Sequence, residues 1–356
     1  YEDDMITQRA AIGDAMRFYE FQQLPGIDLL TEHSDHIDTA KQCSSVAHQL
    51  DRPNRLCEVY GCTGWDFGFA GHKALGDWLQ VLGINFRVQH LAWYSMRGEA
   101  KRDYPASISF QSSWWPHYSA VEDYFARQRA ILDPAKEVRD ILVINPIESM
   151  WGYRPNPSDK EHQDYCNRHQ VDLRNMLLGN HLDFDYGCED MLPRYSSVTA
   201  PLPEEELWDK GPRFQVGVAR YSTVILPPME TIRATTLELL EKFAAAGGAV
   251  YFLDDAPAHL DGQENAEVAR RYRKAFHKTT LKGLLKALQK GNCRIEISTD
   301  RKGDQEGRAI FCQVRQAGDY QALFLVNTAM EHPRDWHDCD RAVNREISYD
   351  DVSLLW

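Results

Sequence analysis

Residues 55–61 read RLCEVYG and residues 84–95 read INFRVQHLAWYS. The first is a short apolar run, and the second is a longer run rich in Phe, Val, Leu and Trp, as β-strands are. Between them, residues 71–83 (GHKALGDWLQVLG) have apolar side chains at helical spacing. Upstream, 26–32 (GIDLLTE) and 39–50 (TAKQCSSVAHQL) repeat the order of strand and helix. Three strand-to-helix units therefore follow one another, which favours a parallel sheet.

Polar residues gather at the carboxyl ends of these strands, namely Glu32, Glu58 and His90. Functional residues of (β/α) barrels lie at this end of the strands. The sequence therefore predicts the α/β class, with residues 1–136 as the C-terminal part of a (β/α)8 barrel. An open doubly wound sheet is the alternative.

The pattern of strands and helices restarts after the helix predicted at 121–132. Strands at 139–147 and 221–228, with a helix at 231–248, predict a Rossmann-like (flavodoxin-like) α/β domain over 137–260. Neither GxGxxG after its first strand nor GxxxxGK[ST] occurs, so we predict no nucleotide. Residues 261–356 contain helical segments and then short alternating strands, which predict a helical linker and the start of a β-sandwich-like domain.

The chain has 356 residues, a formal net charge of −13 and 43% hydrophobic residues. Nucleic-acid binders need clustered Lys and Arg, so the charge argues against a nucleic-acid partner and favours neutral or cationic substrates. No apolar run reaches the roughly 18 residues of a membrane span. The compartment stays open, with the cytoplasm favoured.

The eight cysteines are scattered, without a CxxC pair or a His spacing typical of zinc. We interpret them as free buried thiols, including Cys57 and Cys62 on either side of Glu58. We predict no metal site and no cofactor. Asp and Glu oxygens could hold calcium, although no EF-hand-like loop or other strong ligand spacing supports it.

Glu58 is the sharpest catalytic candidate, because it ends an apolar strand and is followed by YGCTGWDF. Gly61 and Gly64 allow a tight turn there, and Trp65 offers a flat apolar face for a sugar ring. Cleavage of a glycosidic bond needs two carboxyl groups, one as acid and one as nucleophile or base. A structural salt bridge at Glu58 is the alternative.

Glu32 and His33 begin a polar cluster at the same edge of the predicted sheet. Glu32 is a candidate for the second catalytic carboxylate and His33 for substrate binding, while a helix N-cap region is the alternative. Asp28 lies in the middle of its strand, and the sequence leaves open whether it is buried or lines the barrel.

Further candidates for substrate binding are His90 and Tyr94, at the end of the next strand, and the pair Trp114-Trp115. His90 could instead pack at the rim. Paired exposed tryptophans usually meet a ligand or another domain, so the pair is either a sugar platform or interdomain packing. Arg97, with Lys101 and Arg102, brings positive charge close to the carboxylate-rich rim, or forms a solvated basic run.

Long stretches of the first 150 residues resemble a group of large bacterial glycoside hydrolases of the α-L-rhamnosidase-like type. Later stretches are similar to the trimerisation-type α/β domain that follows the barrel in many β-galactosidase-like enzymes, so the resemblance extends to about residue 255. The stretches are PGIDLLTEH, KQCSSVAHQL, RLCEVYGCTGWDF, LGINFRVQHLAWYS, GEAKRDYPASISFQSSWW, VEDYFARQRAIL, RDILVINPIESMW and YSTVILPPMETIRATTLELLEKFAAAGGAVYFL.

The resemblance implies a function for Glu58. In the β-galactosidase-like enzymes the penultimate barrel strand ends in the nucleophile, and RLCEVYG would be that strand. In the α-L-rhamnosidase-like families a Glu in such surroundings would be the general base of an inverting, often calcium-assisted, reaction. A full barrel has about five earlier strands and carries the acid on the fourth, so we expect this sequence to be a fragment of a longer polypeptide.

The main hypothesis is therefore a glycosidase that removes a terminal sugar, an α-L-rhamnoside or a β-galactoside-like group. The alternative is a non-catalytic carbohydrate-binding or assembly protein. A nucleotide-dependent α/β enzyme is a third hypothesis, disfavoured by the missing phosphate loop. The partner is a carbohydrate, and a homo-oligomer stays open.

Overall fold

The computed structural model describes residues 3–31, 36–101, 104, 108–154, 156–202, 211–292, 294–300, 308–328 and 349–355. Helices and strands alternate along most of this chain, and the five-stranded sheet and one of the four three-stranded sheets of the described residues are parallel throughout. The predicted α/β class with parallel strands is confirmed.

The first part of the chain alternates three short strands with helices. It contains α1 (Met5–Ala11), α2 (Ala15–Tyr19), β1 (Gly26–Leu29), α3 (Ile37–Gln49), β2 (Leu56–Val59), α4 (Phe69–Val81), β3 (Phe86–Gln89), the 3-10 helices Gly98–Lys101 and Trp115–His117, and α5 (Ser119–Leu132).

The middle part of the chain supplies most of the remaining elements. They are β4 (Lys136–Glu137), β5 (Ile141–Ile144), α6 (Ile147–Trp151), α7 (Pro157–Gly179), β6 (Phe184–Gly187), α8 (Leu192–Tyr195), β7 (Ser196–Thr199), β8 (Arg213–Val216), β9 (Ala219–Tyr221), β10 (Thr223–Leu226), β11 (Thr231–Ile232), α9 (Ala234–Ala245), β12 (Ala249–Leu253), β13 (His259–Leu260), β14 (Gln263–Glu264), α10 (Ala266–Ala275), β15 (His277–Thr279) and α11 (Leu281–Gly291).

The last described part of the chain is β-rich. Its strands are β16 (Glu296–Ser298), β17 (Ile310–Gln316), β18 (Gln321–Asn327) and β19 (Ser353–Leu355). β17 and β18 form an antiparallel hairpin, and β17 also pairs with β4.

β1, β2 and β3 form a three-stranded parallel sheet in chain order. A second parallel sheet has the order β15-β12-β10-β5-β6. If these five strands are renumbered 1 to 5 along the chain and the sheet is read from β6, their order is 2-1-3-4-5, as in flavodoxin-like sheets. β15 completes it, so the sheet extends beyond the predicted boundary at residue 260.

The two parallel sheets share a core. One apolar cluster joins β1 and β2 to one face of the five-stranded sheet, including Ile141 and Ile225. The other face of that sheet, with Leu142 and Val224, packs in a second cluster with α9 and α10. Both faces of the five-stranded sheet are therefore covered.

Apolar side chains recur at approximately helical spacing over residues 5–24, which predicts one helix, but this segment forms two helices. Gly13 has φ +81°, in the left-handed region that interrupts an α-helix. The Asp14 carboxylate then accepts a hydrogen bond from the Met16 backbone N–H and caps α2. The turn chemistry at these two residues overrides the apolar periodicity.

Helix α3 lies between the two sheets and is buried along almost its whole length. Its Lys41 ammonium reaches Asp183 at 2.6 Å, just before β6. Arg139, before β5, contacts both Asp183 at 2.8 Å and Asp185 at 2.7 Å. The Lys41 pair therefore joins α3 to the five-stranded sheet, whereas the Arg139 pairs join β5 and β6 within that sheet. Among the described residues, no helix combines the length and apolarity needed to cross a membrane.

Candidate functional site

Glu58 is the third of the four residues of β2. Side chains alternate between the two faces of a strand, so Cys57 and Val59 point into the helix-covered core while Glu58 points to the opposite face. The Glu58 side chain is 36% exposed. It is accessible rather than locked in a buried ion pair.

The face of the sheet that carries Glu58 is open. Asp28, Glu58 and Val88 lie side by side in the strand register, and Leu56 precedes Glu58 on the same face. All four side chains are half-buried or exposed. Parallel sheets are normally covered on both faces, and the described part of the chain leaves this face uncovered, which makes it a candidate binding surface.

The opposite face of the sheet is closed by helices. Arg87 of β3 donates to Glu122 of α5 at 2.9 Å and lies over the Phe125 ring at 3.6 Å. It also donates to the Tyr60 hydroxyl, which donates in turn to the backbone carbonyl of His72. Burial raises the pKa of Tyr60 to about 12, so the phenol remains a donor at neutral pH.

His90, directly after β3, is the described residue that forms an ion-pair contact with Glu58. Its Nε2 lies 3.8 Å from Glu58 Oε1, a distance of electrostatic contact rather than of a hydrogen bond. The His90 side chain is 15% exposed. The structure thus brings together two of the predicted site residues, a carboxylate and an imidazole.

Gly61 sets the position of His90. A Cβ at Gly61 would lie 2.7 Å from His90 Cγ and 2.6 Å from Leu30 Cδ2. The Gly61 carbonyl accepts a hydrogen bond from the Thr31 backbone N–H at 2.7 Å. Gly61 therefore joins the carboxyl ends of all three strands, and only glycine fits there without displacing a neighbour.

Left-handed backbone conformations cluster at this same edge. The non-glycine residues Thr31, Tyr60, Cys62 and Leu91 have φ values of 65°, 71°, 60° and 53°. Each such residue costs on the order of 1–3 kcal/mol, and such strain concentrates at functional sites. The carboxyl edge of the three-stranded sheet is therefore a functional-site candidate on backbone geometry as well.

Trp65 lies in the loop after β2 and stacks on Trp93 of the loop after β3. The ring centroids are 5.0 Å apart, with an interplanar angle of 23°. Trp65 is still 43% exposed. The stack links the two loops that follow Glu58 and His90 and leaves apolar ring surface facing solvent. Tyr94 is 96% exposed and projects from the same loop.

The pair Trp114-Trp115 is only partly exposed. Trp115 is 43% exposed and stacks on the buried Tyr118, with centroids 5.6 Å apart. Tyr118 meets the His72 ring edge-on. Trp115 thus continues the packing of α4 and α5, which favours the packing interpretation for that residue. Trp114 is half-buried.

Two predicted site residues, Glu32 and His33, lie outside the described residues. Arg97 is exposed, and Arg102 also falls outside the description. Within the described ranges, no group of three or more His, Cys, Asp and Glu side chains has the arrangement of a metal site.

Two thiols near the site, those of Cys43 and Cys57, are buried. Burial raises the pKa of Cys43 to about 12 and that of Cys57 well above its ordinary value. Cys43, Cys57, Cys166, Cys188 and Cys312 are buried and in no disulfide, as predicted. Cys62 is also in no disulfide but is exposed, because it lies in the loop after β2, so the prediction of burial is wrong for this residue.

Asp28 is the residue that sequence reasoning did not place in the site. Its partner in the strand register is Glu58. The signal was the position of both carboxylates in the third place of a four-residue strand, but only the pairing of β1 with β2 brings them together.

No protein-family model matches the chain. A protein of Formosa agariphila named "Putative beta-glucuronidase" is 31% identical over 111 residues, which are 30% of this chain and 10% of that protein. The chain thus spans about a tenth of the length of this curated relative.

Solved structures match a much larger share of the chain. A rhamnosidase from Novosphingobium sp. PP1Y matches 88% of this chain and 30% of its own, with a TM-score of 0.63 and 17% identity. A GH42 β-galactosidase from G. stearothermophilus, solved as a catalytic mutant, matches 88% of this chain and 55% of its own, with a TM-score of 0.56 and 11% identity. The chain therefore shares the fold of rhamnosidase and β-galactosidase glycoside hydrolases over most of its length, as its sequence resemblance predicts.

Proposed function

We propose that this chain is part of a glycoside hydrolase that removes a terminal sugar, an α-L-rhamnoside or a β-galactoside-like group, from a glycan. Glu58 acts as the nucleophile or as the general base. The observation that carries the proposal is the contact between Glu58 and His90 on the open face of a parallel sheet, within a fold shared with such enzymes.

The open face also supports the finer fold prediction. In a (β/α)8 barrel the helices cover the outer face, and the inner face carries side chains that meet those of the other strands. Asp28 and Glu58 lie on the face that the described helices leave uncovered. We therefore propose that β1, β2 and β3 are the C-terminal strands of such a barrel. A flavodoxin-like domain and the start of a β-sandwich-like domain would follow.

Glu58 suits either catalytic role. A nucleophile or base has to be accessible, and the Glu58 side chain is 36% exposed with the His90 imidazole 3.8 Å away. The Trp65–Trp93 stack offers a ring face of the kind on which the C–H faces of sugars pack. Glu32 is the proposed catalytic acid, and the alternative is an acid elsewhere in the polypeptide.

The experiment is sugar release from a panel of aryl glycosides that includes rhamnosides and galactosides. The product of the complete reading frame is compared with its Glu58→Gln and Glu241→Gln variants. Glu241 is a matched control, because its side chain is 31% exposed and it lies on α9, remote from the open face. We expect Glu58→Gln to lose turnover by about a thousandfold, the scale of an essential catalytic group.

The anomeric form of the sugar released first decides the role of Glu58. Retention, read by proton NMR before mutarotation, assigns the nucleophile, and inversion assigns the base. Sugar binding without turnover in the parent, unchanged by Glu58→Gln, would contradict the proposal and support a carbohydrate-binding protein. The homo-oligomer stays a prediction, which sedimentation would measure.

A further inference from the structure

Asp28 occupies the position next to Glu58 on the open face. The two are direct partners in the register of β1 and β2, and neighbouring strands are about 4.8 Å apart. Among the described residues, neither a hydrogen bond nor a salt bridge reaches the Asp28 carboxyl group. The register row across the sheet is Asp28, Glu58 and Val88, and His90 follows Val88 by two residues. Asp28 therefore lies on the β1 side of Glu58, and His90 lies on the β3 side.

No cation from the helix behind β1 neutralises Asp28. Helix α3 packs on the opposite face, and its charged side chains pair with other partners. Lys41 pairs with Asp183 at 2.6 Å, and Asp38 pairs with Arg174 at 2.7 Å. The charged and titratable groups that face Asp28 within the described sheet are thus Glu58 and His90.

We propose that Asp28 is a positioning residue of the site, whose charge beside Glu58 holds the Glu58 carboxylate on the His90 side of the row. Two like charges on neighbouring strands repel each other. Glu58 lies between Asp28 and His90, so repulsion from Asp28 and attraction by His90 move the Glu58 carboxylate in the same direction. This inference rests on the proposed function of Glu58.

The titration of Asp28 supports the pairing. Burial, and then the nearby Glu58 charge, raise the pKa of Asp28 above its ordinary value. Two interacting carboxyl groups release their protons in coupled steps. A change at either group should therefore be visible in the titration of the other.

The direct test is the pKa of Asp28, measured by carbon-13 NMR of its carboxyl group. We expect Glu58→Gln to lower this pKa by about half a unit, the size of a Coulomb interaction across neighbouring strands in a watery environment. Glu241→Gln should leave it unchanged. An Asp28 pKa that is the same in the parent and in Glu58→Gln overturns the proposal.

The kinetic test is Asp28→Asn in the product of the complete reading frame. We expect kcat/KM to fall about tenfold, mainly through kcat, and the acid limb of its pH profile to move to lower pH. That shift follows because the active carboxylate loses a like-charged neighbour. Asp28→Glu, which keeps the charge, should restore part of the rate and the parent limb. An unchanged pH profile in Asp28→Asn overturns the proposal.

The two tests separate the inference from the function on which it rests. If Glu58→Gln retains full turnover, the proposed function fails, yet the NMR titration still reports whether the carboxyl groups are coupled. If Glu58→Gln abolishes turnover while the Asp28 pKa stays fixed, the function stands and the positioning role of Asp28 is rejected.

Discussion

The carboxylates of the two parallel sheets differ in burial and in ion pairing. In the five-stranded sheet both faces are covered, and Asp185 is fully buried with Arg139 at 2.7 Å and His48 at 2.6 Å. In the three-stranded sheet one face is open, and among the described residues Glu58 has an ion-pair contact with His90, at 3.8 Å, and none with an arginine. Carboxylates whose charge is already balanced by arginine hold the fold together, whereas those on the open face remain available to a substrate.

The pKa of the buried Asp185 carboxyl group reflects the same difference between the two sheets. Burial alone would raise the pKa of Asp185, but the Arg139 and His48 charges together hold it well below its usual range. An acid with a lowered pKa in the folded state stabilises the protein above its unfolded pKa of about 4. That stability is lost as the pH falls further, so we expect acid to loosen the contact between α3 and the five-stranded sheet.

The largest effect is expected for Arg139→Met. Its guanidinium contacts Asp183 and Asp185, and its loss leaves these buried carboxylates short of positive charge. We expect the free energy of unfolding to fall by about 3–5 kcal/mol, the usual result of breaking a buried ion pair. Urea denaturation measures it. Lys160→Met, which removes an exposed pair with Asp164, should change it by less than about 1 kcal/mol. Equal losses in the two variants would contradict this contrast.

Glu189 is a buried carboxyl group two residues after β6, and burial raises its pKa to about 7. The unfolded pKa of a glutamate is near 4.3. The protonated form is favoured in the fold, so its contribution to stability is complete below about pH 4 and is lost as the pH rises towards 7.

Glu189→Gln should therefore stabilise the protein at pH 8 by about 2 kcal/mol and leave it unchanged at pH 4. The neutral amide oxygen can still accept the Arg233 backbone N–H, which lies 2.9 Å from Glu189 Oε2. Thermal unfolding across pH 4–8 measures the difference. A Glu189→Gln variant that is less stable than the parent at pH 8 would contradict this prediction. Glu189 would then resemble Asp185, whose charge is balanced by an arginine.

Gly61→Ala tests the geometry of the open face. The added Cβ would lie 2.7 Å from His90 Cγ and must displace the ring from Glu58. We expect sugar release to fall about tenfold, with a stability loss of about 1–3 kcal/mol from overpacking. Gly291→Ala is the control, since a Cβ there meets nothing within 4 Å. Full activity in Gly61→Ala would remove the His90 contact from the mechanism.

Trp65→Ala should give the smallest effect. It removes the outer ring of the stack with Trp93 without touching Glu58. We expect KM to rise several-fold with little change in kcat, as for a ring that contributes about 1 kcal/mol of uniform binding. Trp151→Ala is the matched control, because Trp151 is 41% exposed, as Trp65 nearly is, and lies on α6. An equal effect in both would exclude a subsite at Trp65.

Local pattern predicted the alternation of strands and helices, and it placed Glu58 and His90 at neighbouring strand ends. It did not predict the break at Gly13, because apolar spacing continues across it. The local sequence pattern also did not predict the strand register. That Asp28 lies beside Glu58 depends on how two strands 30 residues apart align, and that Lys41 meets Asp183 depends on a fold that joins residues 142 positions apart.

The most direct test compares Glu58→Gln with Asp185→Asn, reading both sugar release and thermal unfolding in each variant. We expect Glu58→Gln to lose about a thousandfold in turnover at an unchanged Tm. Asp185→Asn should lower Tm strongly, while the fraction that stays folded keeps its turnover. Turnover retained in Glu58→Gln, or a Tm loss there as large as in Asp185→Asn, would contradict the division between the two sheets.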